Sequence, residues 1–285
     1  MLSKFEFLKK LLFVLTILVF LGSTSFLFFN NFTNSRKVYG EKVSASPVSS
    51  DAVLDSPSSL PSPSPNPTPS PITRKMEYTI ALFGDSMIDT MGEKLEYLQK
   101  SLDVRYPGVV FHLYNYGIGG QNVSEGLSRF DKSFSNRTRS YPPISKLNAD
   151  IIILGSFAYN PFSPHNRDKH WITLTNLTKE TQKTGASVYL LSEIAPLKLG
   201  FGKGTNGINW PEEMAHEHAS HIVEQLENAV NLSKSLNIAL INAFYESQVD
   251  GNWGNPNYVD GNDGIHPSVL GHKFMADLIA TSIKL

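Results

Sequence analysis

Between residues 78 and 283 the sequence alternates between two periodicities, and that alternation limits the architectures open to it. Short apolar runs suited to buried strands recur at Tyr78–Phe83, Val109–Tyr114, Ile151–Leu154, Ser187–Leu191 and Ile238–Ile241. Helical patterns lie between and after them, at roughly 91–105, 124–133, 168–184, 212–236 and 268–283. Five such repeats predict an open parallel sheet with helices on both faces, joined by right-handed crossovers. In a sheet of that kind the loops at the carboxyl ends of the strands share one rim, where ligands bind.

Four of those loops carry residues with chemical potential. The first strand stops in Gly84-Asp85-Ser86, which sets a hydroxyl at the start of a helical stretch near unpaired N–H groups. Asp-Ser at such a junction is also an ordinary helix cap, so this stretch alone does not decide. The second loop is Asn115-Tyr-Gly-Ile-Gly-Gly-Gln-Asn122, whose Gly117, Gly119 and Gly120 let backbone N–H groups approach an anion. No Lys-Ser/Thr follows, so it is not a Walker loop. The third reads Gly155-Ser-Phe-Ala-Tyr-Asn160-Pro, in which Asn160 offers a side-chain amide or a plain turn. The last is Asp260-Gly-Asn-Asp263-Gly-Ile-His266-Pro267, with Pro267 suited to open the final helix. Asp263 lies three residues from His266 and Asp260 six, so Asp263 is the better partner for the ring. Asp85 and Asp89 read as helix-start and loop residues.

Gly84-Asp85-Ser86, Gly120, Asn160 and Asp263-Gly-Ile-His266, in this order, resemble the four blocks of the SGNH/GDSL hydrolase family over roughly residues 76–285. Two departures stand out. Met87 follows the serine where leucine is usual, and Phe157 stands where the third block, Gly-x-Asn-Asp, has its asparagine, which leaves Asn160 three positions late. The resemblance implies a flavodoxin-like three-layer α/β/α domain with a five-stranded parallel sheet and ester or acyl-transfer chemistry. Ser86 would then be the nucleophile, His266 the general base and Asp263 the residue that orients the ring. The backbone N–H groups of Ser86 and Gly120 and the side chain of Asn160 would form the oxyanion hole. Such chemistry needs neither metal nor cofactor.

The first 75 residues have a different composition. No charge occurs from Leu11 to Ser35, with apolar runs at Leu11–Leu21 and Phe26–Phe29 behind Lys4, Lys9 and Lys10. A bilayer span needs about 20 residues, so 11–29 reads as an anchor within a segment 1–40. The competing reading is a cleaved signal peptide; no Ala-x-Ala follows the run, which favours the anchor. Residues 41–75 hold 8 of the 17 prolines and read as an extended Pro/Ser-rich linker. Residues 76–285 then form the hydrolase-type domain, held outside the cytoplasm at the cell membrane. That domain carries 17 Lys/Arg against 22 Asp/Glu, a net −5, which argues against a nucleic-acid partner. The chain has no cysteine, so thiolate catalysis and zinc–cysteine sites are excluded.

Two other motifs draw attention. His216-Glu-His-Ala-Ser-His221 lacks the four-residue spacing of a zinc-protease helix, and His218 reads as half-buried or pocket-lining. Gly202-x-Gly204-x-x-Gly207 neither follows a strand nor opens a helix, so Ala195–Trp210 reads as a mobile loop over the substrate. Trp171, Trp210, Tyr159 and Trp253 could face a sugar or belong to the core. The resulting expectation is a membrane-anchored serine esterase that removes acyl groups, O-acetyl among them, from a surface glycan. An O-acyltransferase with the same triad and a non-catalytic glycan-binding domain are the alternatives.

Overall fold

The structure is a computed structural model that describes residues 75–285. The expected anchor, and all of the expected linker but Lys75, lie outside the described residues. Among the described residues no helix is long and apolar enough to cross a membrane.

The strands are β1 (Glu77–Gly84), β2 (Val110–Gly117), β3 (Phe134–Asn136), β4 (Arg139–Tyr141), β5 (Ile151–Gly155), β6 (Ser187–Ser192), β7 (Ala239–Asn242), β8 (Gln248–Asp250) and β9 (Trp253–Gly254). The helices are α1 (Ser86–Asp89), α2 (Glu96–Arg105), α3 (Val123–Arg129), α4 (Arg167–Gln182), α5 (Glu212–Leu236), α6 (Ala243–Glu246) and α7 (Val269–Ser282). The main sheet has five strands in the order β2-β1-β5-β6-β7, every pair parallel. Counting only these five strands along the chain, the order is 2-1-3-4-5, that of the flavodoxin-like doubly wound fold.

Both faces are covered, so both faces are apolar. Along β1, Ile80 and Leu82 join one core with Leu98 and Leu102 of α2 and Ala276 and Ile279 of α7. The alternate residues Ala81 and Phe83 join a second core with Val123 of α3 and Leu174 and Leu177 of α4. A period of two within a run buried on both sides is the signature of a central parallel strand. Helix α5 touches both cores, through Ile222 and Leu226 on one side and Ala229 and Leu232 on the other.

The expected helix at 91–105 begins only at Glu96, because Gly92 and Leu95 take positive φ values of 98° and 55°. The four residues of α1 form a separate turn before it. The β3–β4 hairpin had no counterpart in the sequence reading. Strand order reverses between β1 and β5, which opens a crevice beyond their carboxyl ends.

Candidate active site

Ser86 sits at that crevice as the first residue of α1. Asp85, fully buried, caps the helix by accepting from Met87 N at 3.0 Å. The turn is tight because of glycines, but not through positive φ at Gly84. A Cβ on Gly84 would stand 2.4 Å from Ile88 Cγ1, and one on Gly117 would stand 2.2 Å from Asp89 N. The ends of β1 and β2 therefore close directly on α1. The second loop follows, and a Cβ on Gly119 would lie 3.7 Å from Ser86 Cβ. Gly120 comes next, at φ +76° and exposed to the cleft, where a side chain would be strained.

The third loop explains how a displaced asparagine reaches the same place. Phe157 adopts a left-handed φ of 58° with its ring fully buried against Phe83. The chain turns back after it, and Asn160 Nδ2 donates to Asp85 Oδ2 at 3.1 Å. This loop is clamped from beneath. Glu193, fully buried just beyond the end of β6, accepts from Ser156 N at 2.9 Å and from the Ser156 hydroxyl. On the other side His170 Nε2 bonds Ser156 O at 2.9 Å, and its Nδ1 lies 3.2 Å from the Asn228 amide. Burial pushes the His170 pKa down to about 4, so the ring is neutral, donates to Ser156 O and accepts from Asn228.

The last loop brings the imidazole. Asp263 Oδ1 accepts from the backbone N–H of Ile265 at 2.7 Å and of His266 at 3.0 Å. Its Oδ2 lies 2.7 Å from His266 Nδ1. Burial alone would raise the Asp263 carboxyl, but the bonds from His266 and the two backbone groups outweigh it and hold the pKa below its ordinary value. The ionised carboxylate fixes the ring proton on Nδ1 and leaves Nε2 free to accept. Asp260 does not compete: its Oδ1 accepts from Asn262 N at 3.0 Å and Asn262 Nδ2 at 2.9 Å.

Ser86, Asp263 and His266 line one cleft of about 550 Å³, together with Gly120 and Asn160. All five residues singled out in the sequence therefore converge. Among the described residues the Ser86 hydroxyl makes no hydrogen bond, and it lines the same cleft as the His266 ring. Trp210, His218 and Phe201 form the far wall, with His218 packed edge-on to Trp210 at 5.0 Å. Tyr159 also lines the cleft. Trp253 instead stacks near His216 at 4.9 Å, and Trp171 packs on the second core. Among the described residues no cluster of His, Cys, Asp or Glu could hold a metal ion.

The expected mobile loop is tied down. Gly202 N bonds Gly264 O at 3.1 Å and Asn206 N bonds Asn262 O at 2.8 Å, so residues 195–210 lie against the loop that carries His266. The glycine spacing there serves contact: a Cβ on Gly204 would stand 2.2 Å from Asn262 O.

Three residues not singled out in the sequence, Arg139, Asn136 and Glu193, shape the site. Asp89 is buried under the β3–β4 hairpin, where Arg139 pairs with it and Asn136 Nδ2 reaches it at 3.2 Å. Glu193 is the third. An acid closing the apolar run Val188-Tyr-Leu-Leu was the visible signal, since charge at the carboxyl end of a parallel strand faces the rim.

Fold and cleft together define an α/β protein of the SGNH type, with serine and an Asp–His pair delivered from opposite ends of the domain. The chain belongs to the GDSL-like lipase/acylhydrolase family, whose model matches residues 80–279. No curated protein matches the chain. Among solved structures, a GDSL-like lipase from Bacteroides thetaiotaomicron is 18% identical with a TM-score of 0.51, covering 74% of this chain and 89% of its own. An acetyl xylan esterase is 17% identical with a TM-score of 0.51, covering 72% and 100%. An acetyl-xylooligosaccharide esterase from Geobacillus is 15% identical with a TM-score of 0.50, covering 74% and 97%. At these identities the likeness is one of fold.

Proposed function

We propose that the protein is a serine ester hydrolase that removes short acyl groups, acetyl foremost, from a glycan at the outer face of the cell membrane. The observation that carries this reading is the 2.7 Å contact between Asp263 Oδ2 and His266 Nδ1 in the cleft that also holds Ser86. In the proposed mechanism Ser86 Oγ attacks the acyl carbonyl and His266 Nε2 takes its proton. The tetrahedral oxyanion is met by the N–H groups of Ser86 and Gly120 and by the Asn160 amide. His266 then returns the proton to the leaving alcohol, and water repeats the sequence on the acyl-enzyme. Asp263 stays ionised and stabilises the imidazolium.

The glycan assignment draws on Trp210, a half-buried indole lining the cleft, of the kind that sugar rings stack on. Two of the solved structures sharing this fold are described as acetyl-ester hydrolases of xylan or its oligosaccharides, which supports the same class of substrate. The uncharged run at 11–29 and the proline-rich linker support a tethered, extracytoplasmic domain.

The test is turnover of p-nitrophenyl acetate and of O-acetylated xylo-oligosaccharide by the domain. Both should be hydrolysed, and Ser86→Ala should abolish both. Undiminished turnover in Ser86→Ala would remove the reading.

A further inference from the structure

We propose that Glu193 is a positioning residue for the oxyanion amide, and that it shares a single proton with Asp85 on which the geometry of Asn160 depends. The proposal rests on the esterase reading above.

The first support is steric. Asn160 stands three positions later than the family pattern puts it, so the loop must store extra chain and still present the amide at the cleft. Glu193 does the storing. It accepts from both the N–H and the hydroxyl of Ser156, and Ser156 Oγ in turn accepts from Ala158 N at 3.2 Å. The next residue after Glu193 continues the clamp, since Tyr159 OH donates to Ile194 O at 2.8 Å. The fit leaves no slack: a Cβ on Gly155 would stand 2.7 Å from Glu193 Oε1.

The second support is electrostatic. Glu193 and Asp85 are both fully buried and lie on the two sides of the turn that holds Asn160. Two carboxylates in one dry site cannot both ionise without a cation to offset them. The ionisable groups facing them are Arg129 from α3, His266 from the last loop, Tyr159 from the turn and His170 from α4. Of these only Arg129 is a standing cation, and its guanidinium donates at 2.8 Å to Gly84 O rather than to either acid. Burial, reinforced by Asp85, lifts the Glu193 carboxyl to about 8, and burial lifts Asp85 as well. Glu193 therefore keeps its proton at neutral pH, and Asp85, which accepts from Asn160 Nδ2 at 3.1 Å, keeps the amide aimed. Removing that proton sets like charges against each other across Ser156 and loosens the turn.

The experiment uses Glu193→Gln, which keeps an acceptor for Ser156 N and a hydrogen-bonding group beside the Ser156 hydroxyl but cannot ionise. Wild type should lose kcat/KM for p-nitrophenyl acetate above about pH 8, while Glu193→Gln should lack that alkaline limb. Glu193→Ala should lower kcat by about 10²-fold with little change in KM, and combining it with Asn160→Ala should cost little more, because both remove the same donor. An unchanged limb in Glu193→Gln, or costs that multiply in full, overturns the proposal. A second readout does not depend on catalysis. A carboxyl with a raised folded-state pKa stabilises the fold below its unfolded pKa, and that stability is lost as pH rises through the folded value. The urea midpoint of wild type should therefore fall relative to that of Glu193→Gln between about pH 5 and pH 9. Parallel curves overturn the shared proton even in a protein that hydrolyses nothing. Loss of turnover and of phosphonate labelling in wild type would instead defeat the esterase reading.

Discussion

Asp263→Asn separates chemistry from structure at this site. The wild-type carboxylate does two jobs with different oxygens. Oδ1 holds the loop through the N–H groups of Ile265 and His266, and Oδ2 holds the ring. In the variant the amide oxygen takes over the first job and the NH₂ group meets His266 Nδ1. Two N–H donors cannot face each other, so the ring proton moves to Nε2, which then cannot accept from Ser86. The loss should be on the order of 10⁴ in kcat, about 5.5 kcal/mol of transition-state stabilisation. Stability at pH 7 should change by only about 1 kcal/mol, because the backbone donors keep an acceptor. Asp263→Ala removes both jobs and should also lower stability, by about 2 kcal/mol. Asp260→Asn, whose carboxylate among the described residues bonds only Asn262, should alter kcat/KM by no more than about threefold. The assay is p-nitrophenyl acetate hydrolysis with thermal melts on the same samples. A variant Asp263→Asn that kept a tenth of the activity would refute the tautomer argument. So would an Asp260→Asn protein as impaired as Asp263→Asn. Because the Asp263 pKa is lowered in the fold, its stabilisation is present above the ordinary carboxylate range and lost as pH falls through the folded value. Acid melts of wild type and Asp263→Asn should accordingly converge at low pH.

Other substitutions probe separate parts of the cleft. Asn160→Ala should cut kcat by about 10²–10³-fold with KM little changed, read on the same ester. Gly126→Ala would set a Cβ 2.5 Å from Phe157 Cζ, within the ring that turns the third loop. It should destabilise the domain by about 1–3 kcal/mol in urea titrations and lower kcat together with stability. Trp210→Ala should raise KM for an acetylated oligosaccharide several-fold more than KM for p-nitrophenyl acetate. Equal effects on the two would argue against sugar stacking at that wall.

The sheet was legible because burial on both faces writes the central strands as unbroken apolar runs, Ile80–Phe83 and Ile151–Leu154 above all. All five runs are strands, and their parallel pairing followed from the helices between them. The ends of elements were less legible where backbone conformation overrides pattern. Leu95 and Asn237 both take left-handed φ, which delays α2 and shortens β7 at its start. Within the site, Asp263 and His266 were readable because three residues of sequence hold their whole geometry. Asn160 was harder, since its position depends on a left-handed Phe157 and on an acid 33 residues downstream. The β3–β4 hairpin left little trace, because its strands are three residues long and only Phe134 and Tyr141 pack on the second core, while Asn136 and Arg139 face Asp89. The motif at His216–His221 was resolved by packing. His218 lines the cleft, while His221 stacks on His165 at 3.9 Å.

Labelling with a fluorophosphonate, followed by peptide mapping, addresses the central claim most directly. One adduct per chain on Ser86 is expected, absent in Ser86→Ala and strongly slowed in His266→Ala. An unlabelled folded domain, or an adduct on any other serine, would contradict the account.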